Sequence, residues 1–213
     1  MRTTFVWERG EVSGAWHGQK AGASVGLVLA QGAGYNMNSP FLIQVAEGLA
    51  ERGIAVVRFN VPYAQAGRSR PDPQPRLEAC YRAVATAVGE EVPKLFRGGK
   101  SMGGRIASHI VADGFSSAGL VFFGYPLHPP GKPERIRDAH LKQVRAPMLF
   151  LQGTRDAFAS PDLLHRTIAA LPSASLVEIE RGDHSFKVPG RAPTEVMEEL
   201  IEAAARFITE HAH

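Results

Sequence analysis

The sequence predicts an α/β fold in which a mostly parallel central sheet carries helices on both faces. Short apolar runs typical of strands alternate along the chain with segments whose apolar residues recur at helical spacing. The apolar runs are uniform, as expected of parallel strands buried on both faces. No internal repeat or linker divides the 213 residues, so we expect one domain over residues 1–213 without a large lid domain.

The elements can be assigned in order. Residues 3–8 and 11–17 are predicted to form a hairpin that turns near Gly10. Short apolar runs predict strands at 24–30, 54–59, 94–97, 120–123, 147–151 and 175–180.

Helical spacing of apolar residues predicts the remaining regular elements. Residues 39–52 place Phe41, Val45 and Leu49 on one face, and Gly53 acts as a stop signal. The predicted helices are 39–52, 76–91, 103–113, 161–171 and 194–211. Residues 62–75, rich in Pro, Gly and Arg, are predicted to be a surface loop beside the site, and residues 124–145 to be irregular with one helix.

Composition excludes several classes of function. The formal net charge is only +3 and no long Lys/Arg block occurs, which argues against nucleic-acid binding. The single cysteine, Cys80, excludes an intrachain disulfide and lies in an apolar helical stripe, which favours a buried packing role. The N-terminus lacks the apolar run of a secretory signal, and no segment approaches the roughly 20 apolar residues that cross a bilayer. We therefore expect a cytoplasmic protein that does not bind membranes.

The segment from Gly99 to Gly103 (GKSMG) is a G-x-S-x-G pattern between a predicted strand and a predicted helix. That placement is typical of a nucleophile elbow, in which Ser101 lies on a sharp turn. Glycine is needed on either side because side chains there would obstruct the close packing of strand and helix. A glycine-rich turn without chemistry is the alternative.

A serine nucleophile needs a base to take its proton and an acid to hold that base. Asp156 follows the predicted strand 147–151, and His184 follows the strand 175–180. The order Ser, Asp, His is that of this elbow arrangement, and both residues lie at carboxyl ends of strands, where sites of parallel sheets form. The pattern predicts a triad of Ser101, Asp156 and His184.

Other acids and histidines fit these roles less well. Asp183 adjoins His184 and is predicted to be a turn residue, while Asp138 and Asp162 fit helix ends. The remaining histidines outside the strand ends are predicted to be surface or packing residues: His17, His109, His140, His165, His211 and His213.

Stabilisation of an oxyanion is predicted to come from two backbone amides. One is the N–H of Met102 at the start of the helix after Ser101. The other is the N–H of Ala33, in the glycine-rich turn 31–34 that follows the strand 24–30. An ordinary glycine turn is the alternative for this loop.

Two phosphate-binding patterns can be excluded, and no cofactor or metal is expected. A P-loop ending at Gly99 would need a glycine where Lys94 stands. A dinucleotide fingerprint beginning at Gly32 would need its third glycine where Met37 stands. No Cys/His cluster has metal-ligand spacing.

These motifs together resemble a compact α/β-hydrolase of the dienelactone-hydrolase-like kind. More narrowly, the chain is similar to the small testis-expressed hydrolase-like family related to a subunit of the chromatin NSL complex. The matching segments are 31–34 with 37–38, 99–103, 126–131, 153–156, and 183–184 with 187–188. The resemblance implies the same triad but no particular substrate. Relatives often carry His-Gly-Ala-Gly where this chain has Gln31, which would change the hydrogen bonds that brace the loop.

The expected function is hydrolysis of an ester-type bond, carboxylester or thioester, in a small acyl substrate through an acyl-enzyme. Gln31 and His128 are candidates for lining the pocket, with His128 in a segment, 125–137, predicted to overhang Ser101. A non-catalytic interaction module with the same fold is the alternative, motivated by the resemblance to a chromatin-complex subunit. The oligomeric state stays open.

Overall fold

The computed structural model describes residues 1–212, so the prediction for His213 lies outside the described residues. The strands are Arg2–Trp7 (β1), Gly10–His17 (β2), Val25–Ala30 (β3), Ala55–Phe59 (β4), Lys94–Lys100 (β5), Leu120–Phe123 (β6), Met148–Gly153 (β7) and Ala174–Ile179 (β8). The helices are Pro40–Glu51 (α1), Pro62–Gln65 (α2), Gln74–Gly89 (α3), Met102–Ala112 (α4), Pro161–Ala169 (α5) and Pro193–Glu210 (α6), with a 3-10 helix at Ala139–Gln143.

All eight strands form one sheet in the order β1-β2-β4-β3-β5-β6-β7-β8. The hairpin β1–β2 joins the edge of β4 in antiparallel fashion, and every pair from β4 through β8 is parallel. The chain leaves β3 toward β4 and returns to the other side of β3 at β5, so the connections diverge between β3 and β5. Ligands of open parallel sheets bind at such a switch point, beyond the carboxyl ends of the strands.

The core lies in two layers, one on each face of the sheet. Alternate residues of β3 enter different layers: Leu27 and Leu29 pack with α1 and α6, whereas Val28 and Ala30 pack with α3, α4 and α5. Because successive side chains of a strand point to opposite faces, a strand covered on both sides must be apolar throughout. This explains the uniform apolar runs and confirms the predicted fold class.

The segment 62–75 differs from the predicted surface loop because it contains α2, which begins at Pro62. Proline suits the first turn of a helix, since its fixed φ is helical and its missing N–H is not needed there. Tyr63 in α2 is fully buried, so this part of the segment packs on the body of the protein. No helix within residues 1–212 combines the length and apolar character needed to cross a membrane.

Candidate active site

Ser101 lies at the one-residue junction between β5 and α4, with φ 51° and ψ −114°. A positive φ is unfavourable for a residue with a side chain, and such conformations persist only where the surroundings impose them. One restraint is a hydrogen bond of 3.0 Å from the Ser101 amide to the Phe123 carbonyl at the end of β6. The predicted sharp turn is therefore present.

The glycines on either side of Ser101 touch the neighbouring strand through their backbones. A Cβ atom at Gly99 would lie 2.4 Å from the Ala30 carbonyl oxygen, and one at Gly103 would lie 2.5 Å from the same atom. A Cβ atom at either position would also lie within 3.0 Å of further backbone atoms, which cannot rotate away as a side chain can. Any larger residue would push the elbow off β3.

Ser101, His184 and Asp156 come together in one line of hydrogen bonds. His184 Nε2 lies 2.9 Å from Ser101 Oγ, and His184 Nδ1 lies 2.7 Å from Asp156 Oδ2. Because a carboxylate can only accept, Nδ1 carries the proton and Nε2 is free to accept from the serine hydroxyl. This is the tautomer that a general base for Ser101 requires.

Asp156 is held by donors besides His184. Its side chain is fully buried, and its Oδ1 atom accepts the amide of Phe158 at 2.8 Å. Its Oδ2 atom accepts a second hydrogen bond, of 2.6 Å, from Nε2 of Gln152 near the end of β7. Sequence reasoning missed Gln152, because one polar residue at a strand end carries no signal that it contacts the acid.

The loop after β8 that carries His184 is braced by its own side chains. Asp183 Oδ1 accepts the amides of Ser185 at 2.8 Å and Lys187 at 2.9 Å, in keeping with the turn role predicted for Asp183. The Phe158 ring lies 4.2 Å from the His184 ring, centroid to centroid. The His184 side chain is 22% exposed, so the imidazole is accessible from the cleft although its partner Asp156 is covered.

The glycine-rich loop after β3 runs beside Ser101. A Cβ atom at Gly32 would lie 3.8 Å from Ser101 Cβ, and Ala33 lines the cleft above the serine. The Tyr63 hydroxyl braces this loop, because it lies 3.3 Å from the Gly32 carbonyl and accepts the Gly34 amide at 3.2 Å. Burial raises the pKa of Tyr63, which keeps the hydroxyl protonated. Sequence reasoning missed this residue, since it placed Tyr63 in a surface loop.

The cleft over Ser101 has a volume of about 490 Å³, and its wall includes the aromatic side chains of Tyr35, Phe41 and Phe158. Its lining residues are Gly32, Ala33, Tyr35, Ser39, Pro40, Phe41, Lys100, Ser101, Phe158, His184, Ser185 and Lys187. Residues 125–137, which the sequence placed over Ser101, do not contribute to this lining.

Gln31 and His128 need correction, because neither lines the cleft. Gln31 is fully buried; its Nε2 donates to the Tyr35 carbonyl and its Oε1 accepts the Val61 amide at 3.4 Å, so it braces the loop from behind. His128 is also buried, and its ring links neighbouring backbone, with Nε2 accepting the Ser160 amide at 3.0 Å. Both polar side chains are hydrogen-bonded to main-chain groups, as buried polar side chains usually are.

Metal chemistry has no candidate ligand set in the described part of the chain. Within residues 1–212, no three His, Cys, Asp or Glu side chains are grouped as a metal ion would require. The acid and base at the cleft are already engaged with each other and with Ser101.

A family model of the alpha/beta hydrolase domain matches residues 23–212, from just before β3 to just beyond the end of α6. The chain belongs to the alpha/beta hydrolase domain family. The matched residues include the elbow, Asp156, His184 and the glycine-rich loop.

Several solved structures share the fold of this chain. A serine hydrolase homologue from Coxiella burnetii has a TM-score of 0.78 at 20% identity, over 98% of this chain and 97% of that one. A dienelactone hydrolase from Anabaena variabilis has a TM-score of 0.78 at 20% identity, over 99% and 96%. A serine hydrolase without a lid from Xanthomonas campestris has a TM-score of 0.73 at 21% identity, over 98% and 94%. The predicted α/β-hydrolase fold is thereby confirmed.

Proposed function

We propose that this alpha/beta hydrolase family member is a serine hydrolase that cleaves a carboxylester or thioester of a small substrate through an acyl-enzyme. The observation that carries the proposal is the continuous line of hydrogen bonds from Asp156 through His184 to Ser101. A serine hydroxyl is a weak nucleophile unless such a base removes its proton.

The reaction would proceed in two halves. His184 Nε2 takes the Ser101 proton as Oγ attacks the carbonyl carbon, and the tetrahedral adduct collapses when His184 returns that proton to the leaving alkoxide or thiolate. Water then enters, gives a proton to His184 and attacks the acyl-serine. The acid is released and the proton returns to Ser101 Oγ. Asp156 fixes the imidazole and stabilises its charged form in both halves.

The oxyanion of each adduct would be held by the amides of Met102 and Ala33. Met102 is the first residue of α4, so its N–H has no acceptor within the helix. Ala33 lines the cleft between two glycines, where its backbone can approach a substrate closely. Loss of one such donor typically lowers kcat by about 100- to 1000-fold.

The cleft supports a small substrate with an apolar acyl group. The rings of Tyr35, Phe41 and Phe158 in its lining suit an apolar chain or ring, and its volume of about 490 Å³ is in the range of small-ligand sites. Two solved structures with a similar fold are a dienelactone hydrolase from Anabaena variabilis and Est1E from Butyrivibrio proteoclasticus with bound ferulic acid. We extend from them only the proposal of an ester-type bond.

The rival proposal is a non-catalytic interaction module, which the resemblance to the testis-expressed and NSL-related family suggested. That narrower membership stays a prediction. A pure scaffold would have no need of a buried acid, an accessible imidazole and a strained serine that are joined by hydrogen bonds, as Asp156, His184 and Ser101 are. The site therefore favours the enzyme.

The test is reaction of the folded protein with a fluorophosphonate and with p-nitrophenyl and thioester substrates of two to eight acyl carbons. Ser101→Ala should abolish labelling and lower kcat by at least about 1000-fold. Ser108→Ala is a matched control, since Ser108 Oγ also lies 2.8 Å from a histidine, His140 Nε2, but is fully buried and outside the cleft. A wild type that is neither labelled nor active would favour the scaffold, whereas turnover unchanged in Ser101→Ala would show that Ser101 is not the nucleophile.

A further inference from the structure

The ammonium of Lys100, the residue before the nucleophile, contacts the loop that carries the base. Lys100 Nζ donates to the main-chain carbonyl of His184 at 2.5 Å. It also lies over two aromatic rings, 5.1 Å from the centroid of Phe186 and 5.9 Å from that of Phe41. Phe186 belongs to the His184 loop, so the one ammonium contacts that loop at two points.

The pocket around this ammonium is shaped by Gly124, which follows β6. A Cβ atom at Gly124 would lie 2.8 Å from Lys100 Nζ and 3.5 Å from the His184 ring. Gly124 has φ +68°, a conformation that favours glycine in any case. The ammonium is thus enclosed by the end of β6, by α1 through Phe41, and by the His184 loop.

The loop conformation depends on the residue that the ammonium covers. Phe186 has φ 62°, unusual for a bulky side chain, and its ring is buried against Phe41 with centroids 5.8 Å apart. Such a conformation costs free energy and persists only where tertiary contacts hold it. The Lys100 ammonium supplies contacts on both sides of Ser185, at the carbonyl of His184 and at the ring of Phe186.

Keeping a positive charge here is costly for the fold. Burial lowers the pKa of Lys100 to about 8, although the carboxylates of Asp156 and Asp183 favour the charged form. A lysine without a role in this position would normally extend its ammonium to water. The other titratable groups facing this region are the His184 imidazole and Lys187, which lines the same cleft; α1 and β6 contribute Phe41 and the Gly124 backbone.

We propose that Lys100 is a positioning residue for the base: its ammonium ties the main chain of the His184 loop to the nucleophile elbow, and so sets the distance between His184 Nε2 and Ser101 Oγ. This inference rests on the proposed serine-hydrolase function. Because Lys100 and Ser101 are consecutive, movement of the elbow and of the base would be coupled through one side chain.

The test compares Lys100→Met, which keeps length and apolar character but loses the charge and the donor, with wild type. The control is Lys94→Met, which removes an exposed lysine at the start of the same strand. Lys100→Met should lower kcat by about 10- to 100-fold, as expected for a misplacement of about 1 Å, with KM changed less than about threefold. Lys94→Met should match wild type in both constants.

Two further readouts separate positioning from a general loss of structure. Hydrogen–deuterium exchange in residues 181–188 should rise in Lys100→Met while exchange in β3, β5 and β7 stays unchanged. The kcat of wild type should fall with a midpoint near pH 8, where Lys100 loses its charge, and Lys100→Met should lack that step. If Lys100→Met does not fold, the wild-type protein can be compared with itself at pH 7 and pH 9.5, where Lys100 is charged and neutral. Hydrogen–deuterium exchange in residues 181–188, corrected for the intrinsic rates, should then be faster at pH 9.5.

The outcomes separate this proposal from the one on which it rests. Wild-type kcat in Lys100→Met, or unchanged exchange in residues 181–188, would overturn the positioning role while leaving the hydrolase intact. Wild type that neither turns over esters nor reacts with a fluorophosphonate would overturn the hydrolase. Hydrogen–deuterium exchange in residues 181–188 of wild type and Lys100→Met would then still show whether Lys100 holds the loop.

Discussion

Gln152 Nε2 lies 2.6 Å from the Oδ2 atom of Asp156, the same oxygen that accepts the hydrogen bond from His184. The other end of the amide is also engaged, since Gln152 Oε1 accepts the Tyr125 amide at 2.7 Å. The backbone N–H can only donate and the carboxylate can only accept, so the orientation of the Gln152 amide is fixed. The Asp156 carboxylate is therefore held by two donors: Gln152, on the strand that precedes it, and the base His184.

Gln152→Leu should lower kcat/KM for a p-nitrophenyl ester by about 5- to 100-fold. Removing one partner of a buried hydrogen bond costs about 1–3 kcal/mol, and here the loss falls on the carboxylate that orients His184. Gln143→Leu, an exposed glutamine in the 3-10 helix, is the matched control and should leave kcat/KM unchanged. If Gln152→Leu turned over the ester as fast as wild type, Gln152 would be a packing residue only.

Tyr63→Phe should lower kcat by about fivefold with little effect on KM. The hydroxyl braces the carbonyl of Gly32 and the amide of Gly34, on either side of the proposed oxyanion donor Ala33. Loss of a neutral hydrogen bond costs about 1 kcal/mol, close to that factor in rate. Ser117→Ala, which removes a hydroxyl bonded to the Gly119 carbonyl away from the cleft, is the comparison. Equal kcat in both variants would contradict the bracing role.

Much of the fold could be predicted because the dominant signals are local. The predicted strand 24–30 corresponds to Val25–Ala30, and the predicted helix 103–113 to Met102–Ala112. Apolar periodicity and glycine stops mark such elements within a short window of sequence. The antiparallel addition of β2 to β4 could not be predicted in the same way, because pairing of distant strands depends on packing across the whole sheet.

The residues that support the candidate site were harder to predict from the sequence than Ser101, Asp156 and His184 themselves. Ser101 stands in a glycine pattern that close packing of strand and helix requires, whereas Gln152 and Tyr63 act through individual hydrogen bonds that no sequence pattern marks. Gln31 and His128 were placed at the pocket because polar residues near a motif suggest contact with substrate. Each instead bonds to backbone groups, one of them about 30 residues away along the chain, at Val61 for Gln31 and at Ser160 for His128, and no local pattern reveals those contacts.

Gly103→Ala should destabilise the protein as well as reduce activity. The added Cβ would lie 2.5 Å from the Ala30 carbonyl oxygen, so β3 and the elbow must separate. Overpacking of this kind typically costs about 1–3 kcal/mol, measured as the free energy of unfolding in urea. Gly89→Ala is the control, since a Cβ there meets only Leu95 at 3.9 Å. A Gly103→Ala protein as stable as Gly89→Ala would show that the elbow is looser than its contacts imply.

Two stacked histidines on the far side of α4 should make stability depend on pH. The rings of His109 and His140 lie 3.6 Å apart, and His140 Nε2 lies 2.8 Å from Ser108 Oγ. Burial, with positively charged neighbours, lowers the pKa of His140 to about 3 and that of His109 to about 4. Both rings are therefore neutral in the folded protein at neutral pH.

In the unfolded chain these histidines bind protons near pH 6.5, whereas the folded chain does not until about pH 4 and below. Between those values the unfolded state binds more protons, so the free energy of unfolding must fall as the pH falls. His140→Gln keeps an acceptor for Ser108 and removes one of the two protons, so its unfolding midpoint in urea should drop less than that of wild type between pH 7 and pH 5. His165→Gln, at an exposed histidine, is the control and should show the wild-type drop. Equal drops in wild type and His140→Gln would mean that other groups set the acid sensitivity.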